Sequence, residues 1–563
     1  LFHIRLPAAA RPVNLERILP YWLNARQQLN NQGAKIMHSN MAPGAMAVSP
    51  HHLASESALS VLRHGGDAIE AMVAAAATIA VVYPHMNGIG GDGFWLIVPP
   101  EGEPVAIDAS GAAGAQATLE YYAEHKAIPH RGARAALTVP GTISGWDEAL
   151  KISAGLGGGT LPLSRLLADA IRYAADGIPV TPSQASATRD KYHELSGVPG
   201  FANAFLQRGD IPQAGSRFCQ PRLARTLNRL TQEGLDSFYR GPLAQLLGEE
   251  FQATGCPLTA QDLAAHRARR RVPLKLSHRQ GDIYNMTPPT QGLVSLAILG
   301  ITDRMEMADA DEALTIHRIV EATKQAFSLR DRYITDPRHV TLPVQTLLDR
   351  APLQAMADAI SDERAARWGS GKGPGDTVWM GVIDGNGLAV SFIQSIYHEF
   401  GSGVVLPESG VLLQNRGAAF SLDSNHLHAL APGKQPFHTL NPAAARLKDG
   451  RTMVYGTMGG DGQPQTQAAV FTRHVIQGMP LQDAVSAPRW LLGRTWGQAT
   501  DSLKLEGGFS EATFTALRDK GHDVEWLPPM SEVMGHAGAI VRHPNGMLEG
   551  AFDPRSNGSA AGF

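Results

Sequence analysis

A threonine stands where a loose Gly/Pro stretch stops. In GKGPGDTVWMGVIDGNGLAVSF, Gly371–Phe392, Thr377 heads the part that reads as a strand. A threonine hydroxyl is too weakly acidic to be a useful nucleophile at neutral pH unless a base takes its proton. An α-amine, with an ordinary pKa of about 8, is such a base. A chain that began at Thr377 would hold nucleophile and base in one residue. The plain alternative is a β-branched residue opening a strand. GIGGDG, Gly88–Gly93, lacks the lysine and the following helix of a P-loop, so no nucleotide site is read there. His398 and Glu399 are neighbours on a strand and face opposite ways, which argues against a metal pair.

The elements that would position these groups show in the patterning. Val378, Met380 and Val382 alternate with Trp379, Gly381 and Ile383, giving a strand with two faces to bury. Asp384-Gly385-Asn386-Gly387 then turns the chain into LAVSFIQS, a hairpin. Asp449-Gly450 and Asn545-Gly546 mark two more. Ahead of Thr377, helical spacing dominates. Ser49-Pro50 is expected to cap a helix through LASESALSVLRH that stops at Gly65-Gly66, and Asp67 to cap the alanine-rich one after it. AMVAAAATIAVVYP, Ala71–Pro84, is too short to span a bilayer and reads as a buried helix. LPLSRLLADAIRYAADG and IHRIVEATKQAFSLRDRYITD also carry helical spacing, and NMTPPTQGLVSLAILGI joins a loop to a buried helix. Helices first, few strands ahead of Thr377 and hairpins after it predict an α+β chain whose two parts share one core.

Composition narrows the function classes. The chain has 563 residues, 43% of them hydrophobic, and a formal net charge of −3. No global field points to nucleic acid or to an anionic membrane. The basic run RARRR, Arg267–Arg271, reads as a solvated helix end. Cys219 and Cys256 are too few for a disulfide framework, and two free thiols suit a cytoplasmic protein. Residues 1–36 lack a continuous apolar run and precede Met37, the first methionine. They read as a leader or as a native N-terminal extension.

Eight segments in order resemble the γ-glutamyltransferase family of N-terminal-nucleophile hydrolases. They are VSPHHLASESALSVLRHGGDAIEAMVAAA, PHMNGIGGDGFW, VPGTISGW, TPPTQG, EATKQAFSLRDRYITDP, DTVWMGVID, GTMGGDGQPQ and FDPRSNGSAAGF. The resemblance runs from about Met46 to Phe563. It implies a four-layer αββα sandwich in which large and small subunits share one core. It also implies self-cleavage between Asp376 and Thr377, giving a large subunit, 37–376, and a small one, 377–563. These would form a heterodimer, or a pair of such heterodimers. By position, Gly459 and Gly460 would hold the oxyanion through their amides, and Ser395 would hydrogen-bond the nucleophile. No cofactor or metal is implied.

The departures from the family pattern bear on substrate. A γ-glutamyl donor carries a carboxylate and an ammonium, and the family holds them with an arginine and an aspartate. Ser110 stands at the first position and Ala419 at the second. A hydroxyl pair becomes His438 and Thr439, and an asparagine becomes Tyr397. Arg416 is a new charge, a planar two-pronged donor suited to a carboxylate, or else half of a structural ion pair. A carboxylate clamp without an ammonium site, narrowed by Tyr397 and His438, resembles the oxamate amidohydrolase branch. That branch hydrolyses oxamate to oxalate and ammonia in purine catabolism. The alternatives are a γ-glutamyl hydrolase or transferase, a glutaryl-type acylase, and an uncleaved scaffold that binds small acids.

Overall fold

A strand with two apolar faces must be covered on both sides, and the Thr377 segment is. The computed structural model describes residues 37–368, 376–493 and 500–563, and Ser39–Phe563 forms a unit of its own. Seven strands ahead of the linker enter the two large sheets: β1 (Asn40–Ala42), β2 (Met46–Ser49), β3 (Asp92–Val98), β4 (Val105–Ala109), β5 (Arg269–Arg271), β6 (Leu274–His278) and β7 (Gly281–Asn285). Seven after it join them: β8 (Asp376–Ile383), β9 (Ala389–Tyr397), β10 (Ala443–Leu447), β11 (Thr452–Thr457), β12 (Ala537–Arg542), β13 (Leu548–Phe552) and β14 (Ser559–Gly562). They make two sheets, ordered β14-β2-β8-β9-β3-β4-β5 and β1-β13-β12-β11-β10-β7-β6. Every pairing within them is antiparallel.

Helices α1 (His52–Arg63), α2 (Ala68–Val82) and α3 (Thr142–Gly155) cover the outer face of the β8 sheet. Helices α4 (Gly292–Thr302) and α6 (Gly462–Phe471) cover the other sheet, with α5 (Glu312–Tyr333) packed on them. The result is the expected αββα sandwich. The two faces of β8 part as the alternation predicts. Val378, Met380 and Val382 join the core beneath α2, while Trp379 and Ile383 join Phe94, Ile393, Val454 and Ile540 between the sheets. All three Gly-containing turns close hairpins, β8–β9, β10–β11 and β12–β13.

Several expectations need correcting. Strands ahead of Thr377 are not few: that part supplies four strands of one seven-stranded sheet and three of the other, in pieces as short as three residues that show no alternation. RARRR is no helix end, because Arg269–Arg271 pairs with β4 as an edge strand, with Arg269 and Arg270 exposed and Arg271 half-buried. Helix α1 is capped by His51, whose ring accepts from the Leu53 amide, while Ser49 closes β2. Asp67 caps α2 as expected, in a reciprocal box with Glu70, and every residue of α2 is buried. LPLSRLLADAIRYAADG breaks into two short helices, Leu163–Leu166 and Ala168–Asp176. No helix among the described residues is long and apolar enough to cross a membrane. Cys219 and Cys256 are both free. Residues 1–36, and the boundary drawn there, lie outside the described residues.

The closing FDPRSNG segment ties this frame to the site. Asp553 receives Arg489 at 2.5 Å and Arg555 at 3.0 Å, and Arg555 also binds Glu506. All four side chains are buried. Burial works to raise the Asp553 pKa, but the two arginines outweigh it and hold it at about 2. Arg489 also donates to the Gly535 carbonyl, and the Gly535 backbone packs beside Gly459. Replacing Asp553 by Asn removes one charge from a buried network and leaves two arginines to one carboxylate. The variant should lose about 3–5 kcal/mol in reversible urea unfolding.

Candidate active site

Position and burial of Thr377 follow from its strand. Asp376 pairs with Tyr397 and Val378 with Gln394, so the register slips at Thr377 and β9 bulges there, setting Ser395 and Ile396 against it. Two residues on, Trp379 fixes the strand. Its indole N–H donates to Ser391 Oγ at 2.9 Å, and the ring lies against two glycines of the facing sheet. A Cβ on Gly456 would sit 2.1 Å from the ring, and one on Gly538 at 2.5 Å. The glycines form a trough that only a bare backbone permits.

Next to Thr377 a polar row crosses the inner face of its sheet. Thr377 Oγ1 donates to Ser395 Oγ at 3.3 Å, and that oxygen also accepts from the Tyr397 amide at 2.9 Å. Ser395 pairs across the ladder with Asp92 of β3. Asp92 Oδ1 accepts from the Gly111 amide at 3.0 Å and from Gln414 Nε2 at 3.1 Å. Its Oδ2 lies 3.1 Å from His438 Nε2, off the line of a hydrogen bond. Burial pushes the Asp92 carboxyl up to about 7, against the pull of Gly111, Gln414 and Arg416. Burial, then Arg416, holds His438 well below the usual imidazole range, so it is neutral.

Arg416 sits in a 3₁₀ turn, Arg416–Ala419, and is 1% exposed. Its guanidinium stacks over the Tyr397 ring with 3.8 Å to the centroid. Two contacts at 3.5 Å, to the Phe437 carbonyl and to Thr439 Oγ1, are its hydrogen bonds. Among the described residues no carboxylate lies within 4 Å of it, so the ion-pair reading fails. Burial lowers its pKa to about 10, opposed by Tyr397 and Asp92, and it stays charged at neutral pH. Burial also raises the Tyr397 phenol.

Gln291, from TPPTQG, joins Arg416's partner to the glycine pair. Its Nε2 donates to the Thr439 carbonyl at 3.0 Å and to the Gly460 carbonyl at 2.8 Å. Gly459 and Gly460 have φ of +115° and +52°, backbone that side chains resist, and they lead into α6. Their N–H groups meet no acceptor among the described residues. Asp461, next in line, is held by Arg330 Nη1 at 2.9 Å. The structure thus links Thr377, Ser395, Tyr397, Arg416, His438, Thr439 and Gly459-Gly460 through successive contacts. Gln291, Asp92, Arg330 and Asp461 were missed. Each lies in a segment the sequence brings forward, but nothing in residue type alone sets them apart from structural polar groups.

Other candidate positions resolve differently. Ser110, where the family has its arginine, is tied to Asp108 at 2.6 Å and to Gln435 at 2.8 Å. Among the described residues neither His398 nor Glu399 belongs to a cluster with metal-ligand spacing. His317, Glu321 and His522 do have that spacing. Lys324 Nζ, however, lies 2.6 Å from Glu321 Oε1 and supplies the cation there. His317 and His522 satisfy each other at 2.8 Å.

The family model for gamma-glutamyltranspeptidase matches residues 54–563. The chain belongs to the gamma-glutamyltranspeptidase family. Within that family it is 70% identical over 528 residues to the oxamate amidohydrolase proenzyme of Klebsiella pneumoniae, covering 94% of this chain and 100% of that one. It is 31% identical to the glutathione hydrolase proenzyme of Escherichia coli, covering 92% of each. Among solved structures, cephalosporin acylase from Bacillus halodurans matches with a TM-score of 0.85 at 33% identity, covering 94% of this chain and 97% of that one. Family membership accounts for the sandwich, while the trough under Trp379 shows how this chain sets its β8. Gly456→Ala should displace the indole and destabilise the fold by about 1–3 kcal/mol, measured by urea denaturation. Unchanged stability would mean that Trp379 does not depend on the trough.

Proposed function

We propose that the protein is a self-processing amidohydrolase acting on a small carboxylate-bearing amide, oxamate, which it converts to oxalate and ammonia. The observation that carries this reading is Arg416: buried, charged, stacked on Tyr397 and without a carboxylate partner among the described residues. A buried guanidinium whose fork makes hydrogen bonds as long as 3.5 Å suits a ligand carboxylate. The likeness to an oxamate amidohydrolase proenzyme supports the choice of acid.

Processing comes first in this reading. The Thr377 hydroxyl attacks the Asp376 carbonyl, the peptide nitrogen leaves as the new α-amine, and water opens the resulting ester. Residues 37–376 become the large subunit and 377–563 the small one, and the two remain together as a heterodimer. Both sheets take strands from both pieces, which supports lasting association. In turnover the α-amine takes the proton of Thr377 Oγ as the oxygen attacks the substrate amide carbon. The amides of Gly459 and Gly460 stabilise the oxyanion, and Ser395 orients the hydroxyl. Arg416 and Thr439 hold the carboxylate, while Tyr397 and His438 limit the room around it. The C–N bond breaks, ammonia leaves with the transferred proton, and water hydrolyses the acyl ester on Thr377 to give oxalate.

Intact mass and product release test this together. Thr377→Ala should remain a single chain and release no ammonia from oxamate. Arg416→Lys should be processed normally and raise the KM for oxamate about 10- to 100-fold, the worth of a charged hydrogen bond. Preferential turnover of a γ-glutamyl anilide or a glutaryl amide by the wild type would overturn the substrate assignment.

A further inference from the structure

We propose that Asn415 is a positioning residue: it holds the backbone of Tyr397 in the conformation that lays the Tyr397 ring against the Arg416 guanidinium. This rests on the reading of Arg416 as the carboxylate clamp and adds to it the residue that fixes the stack.

Tyr397 is buried and has a φ of +83°. For a bulky side chain this is strained backbone, and it persists only where the surroundings over-determine it. The dihedrals of Tyr397 set the angle between the peptide planes on either side of its Cα. Both planes are pinned. In the plane before it, the Ile396 carbonyl accepts from the Asn415 backbone N–H at 3.2 Å, and the Tyr397 N–H donates to Ser395 Oγ at 2.9 Å. In the plane after it, the His398 N–H donates to Asn415 Oδ1 at 3.1 Å. Asn415 thus grips both sides of Tyr397, with its main chain on one and its side chain on the other.

The grip has a fixed base. Asn415 is fully buried, and its Nδ2 donates to the His130 carbonyl at 2.9 Å. The chain after His130 is stitched to the turn that follows β9. Arg131 Nη1 donates to the Glu399 carbonyl at 2.7 Å and to the Gly401 carbonyl at 2.6 Å, and the Gly132 N–H donates to the Ser402 carbonyl at 2.8 Å. Asn415 also directly precedes Arg416, and its carbonyl accepts from the Ala418 N–H at 3.0 Å within the 3₁₀ turn. It therefore places both partners of the stack, the ring through hydrogen bonds and the guanidinium through the chain. A side-chain amide suits this place because it accepts from one peptide group while donating to another.

Without that side chain the His398 N–H loses its acceptor, and Tyr397 is free to relax towards negative φ, which carries the ring away from Arg416. The clamp loses one face while Thr377 and the glycine pair keep their places. The effect falls on carboxylate binding, and so on KM more than on kcat.

The test is calorimetric titration with oxalate beside steady-state kinetics with oxamate, for wild type, Asn415→Ala, Tyr397→Ala and the double variant, each checked for processing by intact mass. Asn415→Ala should weaken oxalate binding and raise KM about tenfold, with kcat within about threefold of wild type. Tyr397→Ala should weaken oxalate at least as much. Adding Asn415→Ala to it should change little further, because the two act through one contact. Effects that multiply in the double variant overturn the proposal, and so does a fall in kcat at unchanged KM. Asn415→Ser, which keeps a polar group in the buried space, replaces the alanine variant if that one does not fold and process. Failure of both to do so gives Asn415 a purely structural role and overturns the proposal. Wild type that neither binds oxalate nor hydrolyses oxamate overturns the clamp reading and this proposal together, whereas wild type that does both while Asn415→Ala matches it overturns this proposal alone.

Discussion

A charged guanidinium buried between two sheets constrains everything near it. Taking a cation out of water costs several kcal/mol unless charge or oriented dipoles replace the solvent. Arg416 receives this from a ring face, two long contacts to oxygen and the more distant Asp92. Each comes from a different element: Tyr397 from the end of β9, Phe437 and Thr439 from the segment before β10, and Asp92 from the start of β3. None of these elements can shift without disturbing the charge, so the mouth of the sandwich behaves as one unit.

The nucleophile strand answers to the same frame. Thr377 leads β8 at the point where its register slips, and Trp379 anchors the strand in the glycine trough of the facing sheet. Gln291 then holds the Thr439 and Gly460 carbonyls on one side-chain amide. The groups placed around Arg416 and the glycines proposed for the oxyanion therefore move together. On the far side, the Arg489–Asp553–Arg555 network holds the Gly535 turn against Gly459. Buried polar networks of this kind fix geometry more than they add stability.

Much of this was legible because the relevant signals are local. The alternation in β8, the Gly turns of three hairpins and the Asp67 cap each depend on a few adjacent residues, and each stands as read. The strands ahead of Thr377 were not legible. Asn40–Ala42 and Arg269–Arg271 are three residues long and owe their conformation to the partner strand beside them. The same limit applies to the site. Arg416 stood out because an arginine's geometry suggests its ligand. Asp92 and Gln291 did not, since their significance comes from partners some 320 and 150 residues away in sequence.

Specificity in this sandwich turns on where charge is placed, not on whether the catalytic strand is present. At the position of the family's clamping arginine, Ser110 is bound to Asp108 and Gln435, so no vacated charge site remains there. Asp108 instead faces Arg271, 3.8 Å away. In the reading proposed for Arg416 the positive end of the site lies on its 3₁₀ turn, and Ala419, in the same turn, offers no anion for an ammonium group. With Ser110 and Ala419 at those two positions, an amino-acid head group would find no charged partner at either.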